Sequence, residues 1–300
     1  KFKEAIPNLL LALKIDPNYK EAHNCLAISY KKLGKFEEAI THYKKANTSE
    51  SRAQILQCLY VLKKTNEYSK YLSKLCQDDP KNIKAASISA FVSNQLNLKN
   101  IYPFCKNPFD FVFSKNIKSS FIPFEKFIKS LIIQCNNLTI VWEPRTTKFG
   151  YQSIGNLFRL QSPIILNLKK IILEAINEYR IAYKTKPDGF ISQWPNKFYL
   201  FGCYNKLLKK GYQKSHIHPG GWLSGCFYLK MPKILKKDEA AINFSLHGYD
   251  YPIVNSDIPS YQYSPVEGDL ILFPSSLFHK TLPFSSNDER HVVAFDIIPE

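Results

Sequence analysis

The sequence has 300 residues, of which 45% are hydrophobic and 22% are charged, so it can bury a core and does not have the composition of a disordered chain. Its formal net charge is +16 at pH 7, but the basic residues form no tail or block. We therefore interpret the charge as a lysine-rich surface and expect no dedicated nucleic-acid site. The length allows one large domain or two ordinary ones.

The seven cysteines are scattered along the chain and include no Cys-x-x-Cys pair. This argues against a disulfide framework or a thiolate zinc site and predicts a reducing, cytoplasmic location. No apolar run is long enough to cross a bilayer, so we expect no membrane association. Because the chain begins at Lys1 rather than Met, we expect that sequence precedes it, and a targeting signal there stays open.

The first hundred residues contain an internal repeat. Five residues recur with a shift of 34 positions: Phe2, Glu4, Ala5, Ile6 and Ala12 return as Phe36, Glu38, Ala39, Ile40 and Ala46. A helical period of this length is typical of tetratricopeptide repeats. We assign residues 1–99 to such repeats, with further copies expected before Lys1. Stacked repeats commonly bind peptides or proteins, so we expect a protein or peptide partner; the alternative is that the repeats only pack on the following domain.

The composition changes near residue 100. A connector rich in proline and aromatic residues is followed by a predicted helix near 123–135 and a second from Ser162 to about Tyr183, which has a one-sided apolar stripe. From about residue 190, short apolar runs are separated by Gly, Pro and Asn-Asp, which is typical of a β-sandwich or barrel. The predicted fold class is therefore α+β, with helical repeats followed by a β domain over residues 100–300 whose core spans about 190–300.

The histidines are concentrated towards the end of the chain. His216 and His218 are two residues apart, so on a strand their side chains share one face. His279 follows the predicted strand Leu270–Phe273. Neutral imidazoles suit iron, zinc and copper, and we predict that His216, His218 and His279 form a metal site. The alternative is that His216 and His218 are merely a pair of surface histidines.

Arg290 strengthens the metal hypothesis. Arginine is rare in this lysine-rich chain, and Arg290 opens an apolar run in which Val292, Ala294 and Asp296 should share its face while His291 points the other way. A guanidinium can bind a carboxylate through two parallel hydrogen bonds, which lysine cannot do. A metal site beside such a group is suited to a 2-oxo acid, whose keto end binds the metal and whose far carboxylate meets the arginine.

Several sequence blocks carry a family resemblance. They are residues 107–111, 150–153, 216–229, 268–275, 279–284 and 290–296, which read NPFDF, GYQS, HIHPGGWLSGCFYL, GDLILFPS, HKTLPF and RHVVAFD. Over residues 102–300 the chain resembles the 2-oxoglutarate/Fe(II) oxygenases that often follow tetratricopeptide repeats. The resemblance implies a double-stranded β-helix (jelly-roll) core with covering helices, Fe(II) as cofactor and 2-oxoglutarate as co-substrate.

The resemblance also implies roles for individual residues. His216 and His279 match the two histidine ligands, Arg290 matches the co-substrate clamp, and Tyr228 matches an inward tyrosine that hydrogen-bonds the co-substrate. The wider superfamily has Asp or Glu at the position of His218, and often Ser at the position of Val292. Two ligand sets stay open: His216, His218 and His279, or a shifted register in which His218 is the first ligand and Gly220 takes the carboxylate position.

The function predicted from the sequence is an oxygenase that couples substrate hydroxylation to oxidative decarboxylation of 2-oxoglutarate. Repeats fused to such a domain suggest a protein or peptide substrate. Two alternatives stay open: a non-catalytic repeat scaffold with a degenerate jelly-roll domain, and a small-molecule oxygenase.

Overall fold

The computed structural model describes residues 2–119, 123–142 and 146–300, and the chain divides into two compact units. One unit comprises the chain up to Lys106 together with Asp250–Asp257, and the other comprises Asn107–Tyr249 and Ile258–Glu300. The first unit extends beyond residue 99 because Tyr102 is buried in it. The Tyr102 hydroxyl donates to the carbonyl of Asp79 and accepts from the Asn82 N–H at 3.0 Å.

The described part of the first unit contains six helices, and they confirm the predicted repeat. They are α1 Phe2–Ile15, α2 Lys20–Lys32, α3 Phe36–Ala46, α4 Ser49–Val61, α5 Thr65–Asp78 and α6 Ile83–Gln95. Gly34, at φ +77°, makes the turn between α2 and α3, a conformation that glycine adopts without strain. Ala27, Ala39 and Ala46 are fully buried, because small side chains let neighbouring helices approach closely.

Asp250–Asp257 packs into this helical unit as an extended segment. The Gln95 side chain, only 4% exposed, accepts hydrogen bonds from the N–H groups of Val254 and Asn255 at 2.7 and 3.0 Å and donates to the carbonyl of Asn255 at 2.9 Å. The Tyr60 hydroxyl donates to the carbonyl of Pro252 at 2.8 Å. All four of these bonds reach main-chain atoms of the segment, so helix side chains satisfy part of its backbone.

Among the residues of the second unit that the structure describes, ten strands and three helices make up most of the fold. The strands are β1 Phe113–Asn116, β2 Ile140–Trp142, β3 Thr147–Ser153, β4 Phe198–His216, β5 Leu223–Lys230, β6 Ile242–Ser245, β7 Ser260–Tyr263, β8 Asp269–Pro274, β9 Phe278–Thr281 and β10 Arg290–Pro299. The helices are α7 Phe124–Asn136, α8 Pro163–Tyr183 and the short α9 Gly189–Ser192. All strand pairs are antiparallel, in the order β1-β8-β5-β10-β4-β9-β6-β7, with β3 joining β4 and β2 joining β3.

This order is that of a jelly roll, which confirms the predicted α+β fold class. The first half of β4 pairs with β10, whereas its end, from Gln213 to His216, pairs with β9. Strand β4 therefore belongs to both layers of the curled sheet. The sequence had suggested two short runs here, Phe198–Phe201 and Cys203–Leu208, divided at Gly202, whereas the structure joins them in one strand.

The two predicted helices of this unit are confirmed as α7 and α8. The stripe of α8, including Leu168, Ile172 and Ile176, is buried as expected. Tyr179 at its end donates a hydrogen bond to the carbonyl of Phe111 at 2.8 Å. In the part of the chain that the structure describes, no helix has the length and apolar character needed to cross a membrane.

Substitutions at two glycines can test how tightly the sheet is packed. A Cβ at Gly225 would lie 2.3 Å from the Phe295 ring and 2.8 Å from the Leu272 side chain, whereas one at Gly220 would meet nothing within 4 Å. We expect Gly225→Ala to lower the free energy of unfolding by about 1–3 kcal/mol, as overpacking of a core does. Gly220→Ala is the matched control. Chemical denaturation of both variants checks this; equal stability would contradict the packing described.

Candidate metal centre and cavity

The structure brings His216, His218 and His279 together. His216 ends β4 and lies opposite His279 in β9. His218 follows two residues later, and its N–H donates to the carbonyl of Ser275 at 3.0 Å. The ring centroids lie 5.1 Å apart for His216 and His218, 4.4 Å for His216 and His279, and 5.0 Å for His218 and His279. One ring nitrogen of each histidine lies within 4.8 Å of those of the other two. Three nitrogens at this separation can bind one metal ion.

Each imidazole is oriented by an acceptor at its Nδ1 atom. Nδ1 of His216 donates to the carbonyl of Lys214 at 2.7 Å, Nδ1 of His279 to the carbonyl of Leu277 at 3.1 Å, and Nδ1 of His218 to Oδ1 of Asp296 at 2.7 Å. An acceptor at Nδ1 keeps the proton on that nitrogen and leaves the Nε2 lone pair available. When neutral, all three rings are thus held in the tautomer that binds a metal through Nε2.

The surroundings also set the charge of the three rings. Burial, together with the neighbouring His218, lowers the pKa of His216 to about 4. Burial and the two other histidines lower the pKa of His279 well below its usual range. Burial opposes a charge on His218 as well, but the carboxylate and hydrogen bond of Asp296 outweigh it, so the pKa of His218 is raised. Two of the rings are therefore neutral at pH 7 without a metal.

The three histidines open onto a cavity of about 280 Å³ inside the jelly roll. Its lining combines apolar side chains with a small polar set and one arginine. The lining residues are Thr146, Gln152, Phe201, Cys203, Asn205, Gln213, His216, His218, Gly225, Cys226, Ile242, Phe273, His279, Thr281, Arg290, Val292, Ala294, Phe295 and Asp296. A mostly apolar cavity with a few convergent polar groups is the usual form of a small-molecule site.

Arg290 is a buried cation that no anion neutralises in the described chain. The residue is 3% exposed, its guanidinium carbon lies 5.0 Å above the Tyr228 ring, and its Nε has no hydrogen-bond partner. The buried Oδ1 of Asn205 and hydroxyl of Tyr228 are also unpaired. Leaving such groups unsatisfied costs roughly 1–3 kcal/mol each, and more for a charged group. Of these groups, the Arg290 Nε–H is a cationic donor beside the cavity that an anionic group could satisfy.

The predicted faces of β10 agree with the structure in most positions. Arg290, Val292, Ala294 and Asp296 line the cavity, although Phe295 of the other face also reaches it. His291 turns away: its Nδ1 bonds the Tyr204 hydroxyl at 2.8 Å and its Nε2 bonds Glu289 at 2.9 Å.

Tyr228 lies beneath Arg290 rather than on the cavity wall. It is fully buried and is not among the lining residues, whereas Cys226, two positions earlier in β5, is. Burial raises the pKa of Tyr228 well above its usual range, so its hydroxyl keeps the proton and stays a donor.

Sequence reasoning missed two polar contributors to the site. Asp296 accepts from His218 and also from the Ser224 hydroxyl at 2.6 Å, and Ser224 in turn contacts the Ser275 hydroxyl at 2.8 Å. Asn205 lines the cavity from β4. The strand alternation that placed Asp296 on the face of Arg290 was the available signal, but it did not reveal the contact with His218.

Comparison with protein-family models finds one match in each part of the chain. Residues 203–296 match the family described as "Putative 2OG-Fe(II) oxygenase", and residues 21–46 match a tetratricopeptide repeat. The chain therefore carries a tetratricopeptide repeat followed by a 2OG-Fe(II) oxygenase domain. Enzymes of this class use Fe(II) as cofactor and 2-oxoglutarate as co-substrate, as the sequence predicted.

Solved structures give a weaker likeness. A prolyl-4-hydroxylase of Pseudomonas putida is 15% identical, with a TM-score of 0.43, over 63% of this chain and 92% of its own. HygX from Streptomyces hygroscopicus, solved with nickel and 2-oxoglutarate bound, is 14% identical with a TM-score of 0.42, over 64% of this chain and 84% of its own. A 2OG-Fe(II) oxygenase family oxidoreductase of Burkholderia pseudomallei is 14% identical, with a TM-score of 0.41, over 64% and 90%. At this level the likeness says nothing about substrate. A comparison with curated proteins finds no match.

The residues of the cavity fit the family's cofactor and co-substrate. Three oriented imidazoles offer free Nε2 atoms to Fe(II), and the unpaired guanidinium of Arg290 offers donors to a carboxylate. The alternative register based on Gly220 would leave the close trio of histidines without a common role, whereas the unshifted set uses all three.

The first test of this centre removes one candidate ligand. We expect His279→Ala to lower the affinity for Fe(II) by at least tenfold, because the Nε2 of His279 is lost from the cluster. The anaerobic affinity is measured by competition with a chelator.

The matched control is His291→Ala, which removes a buried histidine from β10 but not from the cluster. It should keep the wild-type affinity. Loss of affinity in both variants, or in neither, would reject the assignment.

The second test uses pH. In the metal-free protein the pKa of His216 is lowered from 6.5 to about 4, so between these values the unfolded chain binds a proton that the folded chain does not. The free energy of unfolding should therefore fall as the pH drops through this window. His279 acts in the same direction, and His218, with its raised pKa, opposes it.

Chemical denaturation at several pH values in this window measures the effect. His216→Gln should show a shallower decline than wild type, and this difference separates the His216 contribution from that of the remaining groups. Identical declines would show that His216 is not held in its neutral form.

Proposed function

We propose that the chain is a 2-oxoglutarate- and Fe(II)-dependent hydroxylase, with His216, His218 and His279 as metal ligands and Arg290 as the clamp for the far carboxylate of 2-oxoglutarate. The observation that carries this proposal is that one cavity contains both the three converging imidazoles and the unpaired buried guanidinium. A structural histidine cluster alone would not need an unneutralised cation beside it.

When bound, Fe(II) would supply oxygen activation. Of the four electrons that O2 takes up, two would come from the oxidative decarboxylation of 2-oxoglutarate to succinate and carbon dioxide and two from the substrate that is hydroxylated. The protein holds and shields the reactants. The three histidines fix the metal position through Nε2. Arg290 orients the co-substrate, and Asn205 and Thr281 add polar contacts to the same cavity. Ile242, Phe273 and Val292 exclude water from the rest of its wall.

Tyr228 is proposed to support the clamp. Its ring lies 5.0 Å beneath the guanidinium of Arg290, a distance at which the ring face attracts the cation. Its buried hydroxyl has no hydrogen-bond partner among the described residues and remains protonated, so it stays a donor close to the clamp.

We propose further that the substrate is a protein or peptide bound by the helical repeats. Half-buried polar side chains run across the first helices of successive pairs. Lys31 of α2 reaches Gln54 and Gln57 of α4, the latter at 2.6 Å, and Lys84 of α6 pairs with Glu50 of α4. Burial lowers the pKa of Lys31 to about 8. Such a polar stripe on packed helices suits the recognition of peptide groups better than it suits a purely structural core.

Arg290→Lys tests the co-substrate clamp. The substitution keeps the positive charge but removes the planar fork, so two hydrogen bonds are lost or weakened. Since charged hydrogen bonds contribute roughly 1.5–3 kcal/mol each, the affinity for 2-oxoglutarate should fall at least about tenfold. It is measured by anaerobic titration of the Fe(II)-loaded protein, following the metal-to-ligand charge-transfer band.

Arg159→Lys is the control, because Arg159 is outside the cavity lining. Iron affinity should be unchanged in both variants. Unaltered 2-oxoglutarate binding in Arg290→Lys would reject the clamp, and wild-type protein that binds iron but no 2-oxoglutarate would favour a non-catalytic, degenerate jelly roll.

Lys31→Glu tests the role of the repeats. Reversing this charge in the polar stripe should reduce the hydroxylation of peptides in a proteome-derived library several-fold, scored by mass spectrometry. Succinate formation in the absence of peptide should stay the same, because Lys31 belongs to the helical unit.

Lys44→Glu makes the same charge change at an exposed position of α3 and should behave as wild type. Equal losses in both variants would mean that the net charge, rather than the stripe, matters. Unaltered peptide hydroxylation in Lys31→Glu would favour a small-molecule substrate.

A further inference from the structure

Asp296 lines the same cavity as the three histidines, yet it is not one of the proposed ligands. Its Oδ1 lies 2.7 Å from Nδ1 of His218, on the side of the ring opposite to the free Nε2. The proposed ligand set consists of three neutral imidazoles only. None of these ligands would neutralise the positive charge of a bound divalent ion. The Asp296 carboxylate, which lies behind the His218 ring, would offset part of that positive charge.

The contacts of the Asp296 carboxylate hold it against His218. Its side chain is 15% exposed, and His218 is the only ion-pair partner that it has among the described residues. The Ser224 hydroxyl donates to the same Oδ1 at 2.6 Å, and the Ser275 hydroxyl lies 2.8 Å from that of Ser224. The two serines fix the carboxylate in place on one side while His218 binds it on the other.

Packing keeps this arrangement rigid. Ser224 and Asp296 face each other directly in the pairing of β5 with β10. A Cβ added at Gly221 would lie 3.2 Å from Cβ and Cγ of Asp296 and 2.7 Å from the Ser275 hydroxyl, so the backbone of the turn after His218 presses close to the carboxylate. Asp296 therefore has little room to adopt another rotamer.

We propose that Asp296 is the positioning residue of the metal centre. Through its hydrogen bond to Nδ1 it holds the ring of His218 with Nε2 towards the metal, and its charge makes that nitrogen a stronger donor, in place of a carboxylate bound to the metal itself. Carboxylate–histidine–metal arrangements act in this way, and loss of the outer partner typically weakens metal affinity 10–100-fold. This inference rests on the proposed metal ligands.

A second carboxylate–histidine pair in the same strand region provides an internal control. Glu289 accepts from Nε2 of His291 at 2.9 Å, which resembles the pair of Asp296 and His218 in chemistry and distance. His291 is not part of the histidine cluster. A general effect of removing a histidine-bound carboxylate would appear at both positions, whereas a positioning effect would appear only at Asp296.

The experiment is a double-mutant cycle on the full chain, with Co(II) as the probe. Affinity is measured by competition with a chelating dye, and the visible absorption bands of Co(II) report its coordination geometry. Asp296→Asn keeps the shape and an acceptor oxygen but removes the charge. We expect it to weaken Co(II) binding at least tenfold and to shift the visible bands, and we expect Ser224→Ala to weaken binding by a smaller factor.

The decisive comparison is made without the His218 imidazole. In His218→Ala, adding Asp296→Asn should change the residual Co(II) affinity less than twofold, because the ring through which Asp296 acts is absent. Glu289→Gln should match wild type. Thermal melting accompanies each variant; if Asp296→Asn does not fold, Ser224→Ala in the wild-type and His218→Ala backgrounds supplies the same comparison.

The possible outcomes distinguish a failure of this inference from a failure of the proposed metal centre on which it rests. Wild-type protein that binds no Co(II) or Fe(II) would reject the metal centre itself. Wild-type binding with unaltered affinity in Asp296→Asn, or equal losses with and without the His218 ring, would overturn the role of Asp296 and leave the metal centre standing.

Discussion

Strand β4 is paired along both of its halves, and this double pairing is the constraint on which the site depends. Its first half lies against β10, which carries Arg290, and its end lies against β9, which carries His279. Because antiparallel pairing fixes which residues face each other, the same strand sets the positions of the clamp and of two histidines. A slip of one residue would turn His216 out of the cavity.

Hydrogen bonds orient the three histidine rings that strand pairing brings together. Each imidazole has its Nδ1 proton on a fixed acceptor, and two of the three acceptors are main-chain carbonyls that substitutions leave in place. The third acceptor is the side chain of Asp296. The cluster therefore has two rings that are oriented by the backbone and one whose orientation and charge depend on another residue. That asymmetry makes His218 the adjustable member of the set.

Local patterns in the sequence predicted a large part of this arrangement. The two-residue spacing of His216 and His218 and the alternation along β10 both follow from the geometry of a single strand. The 34-residue shift predicted the helical repeats for the same reason, since each copy is a local unit. The sequence predicted that His279 joins the other two histidines at a metal, but not that its strand pairs with the end of β4, because strand partners far apart in the chain leave no mark in local spacing.

Features that arise from distant contacts were beyond prediction. The bond between Asp296 and His218 joins residues 78 positions apart, and the continuity of β4 depends on neighbours on both sides rather than on its own mixed composition. Asp250–Asp257 lies within the predicted barrel sequence but belongs to the helical unit. Nothing in the composition of the segment distinguishes it from an ordinary loop, since its hydrogen bonds come mostly from helix side chains to its main chain.

The segment Asp250–Asp257 limits where the chain can be cut into parts that fold separately. A protein cut after residue 99 would lose Gln95 and Tyr60, and with them the partners of the main-chain groups of Pro252, Val254 and Asn255. Unpaired peptide groups and the newly uncovered Tyr251 side chain would then be presented to solvent between β6 and β7. A gene fragment encoding only the sheet region would consequently yield a product prone to self-association. The segment between β6 and β7 thus depends on the helices for its main-chain partners, although the two parts of the sequence read as separate modules.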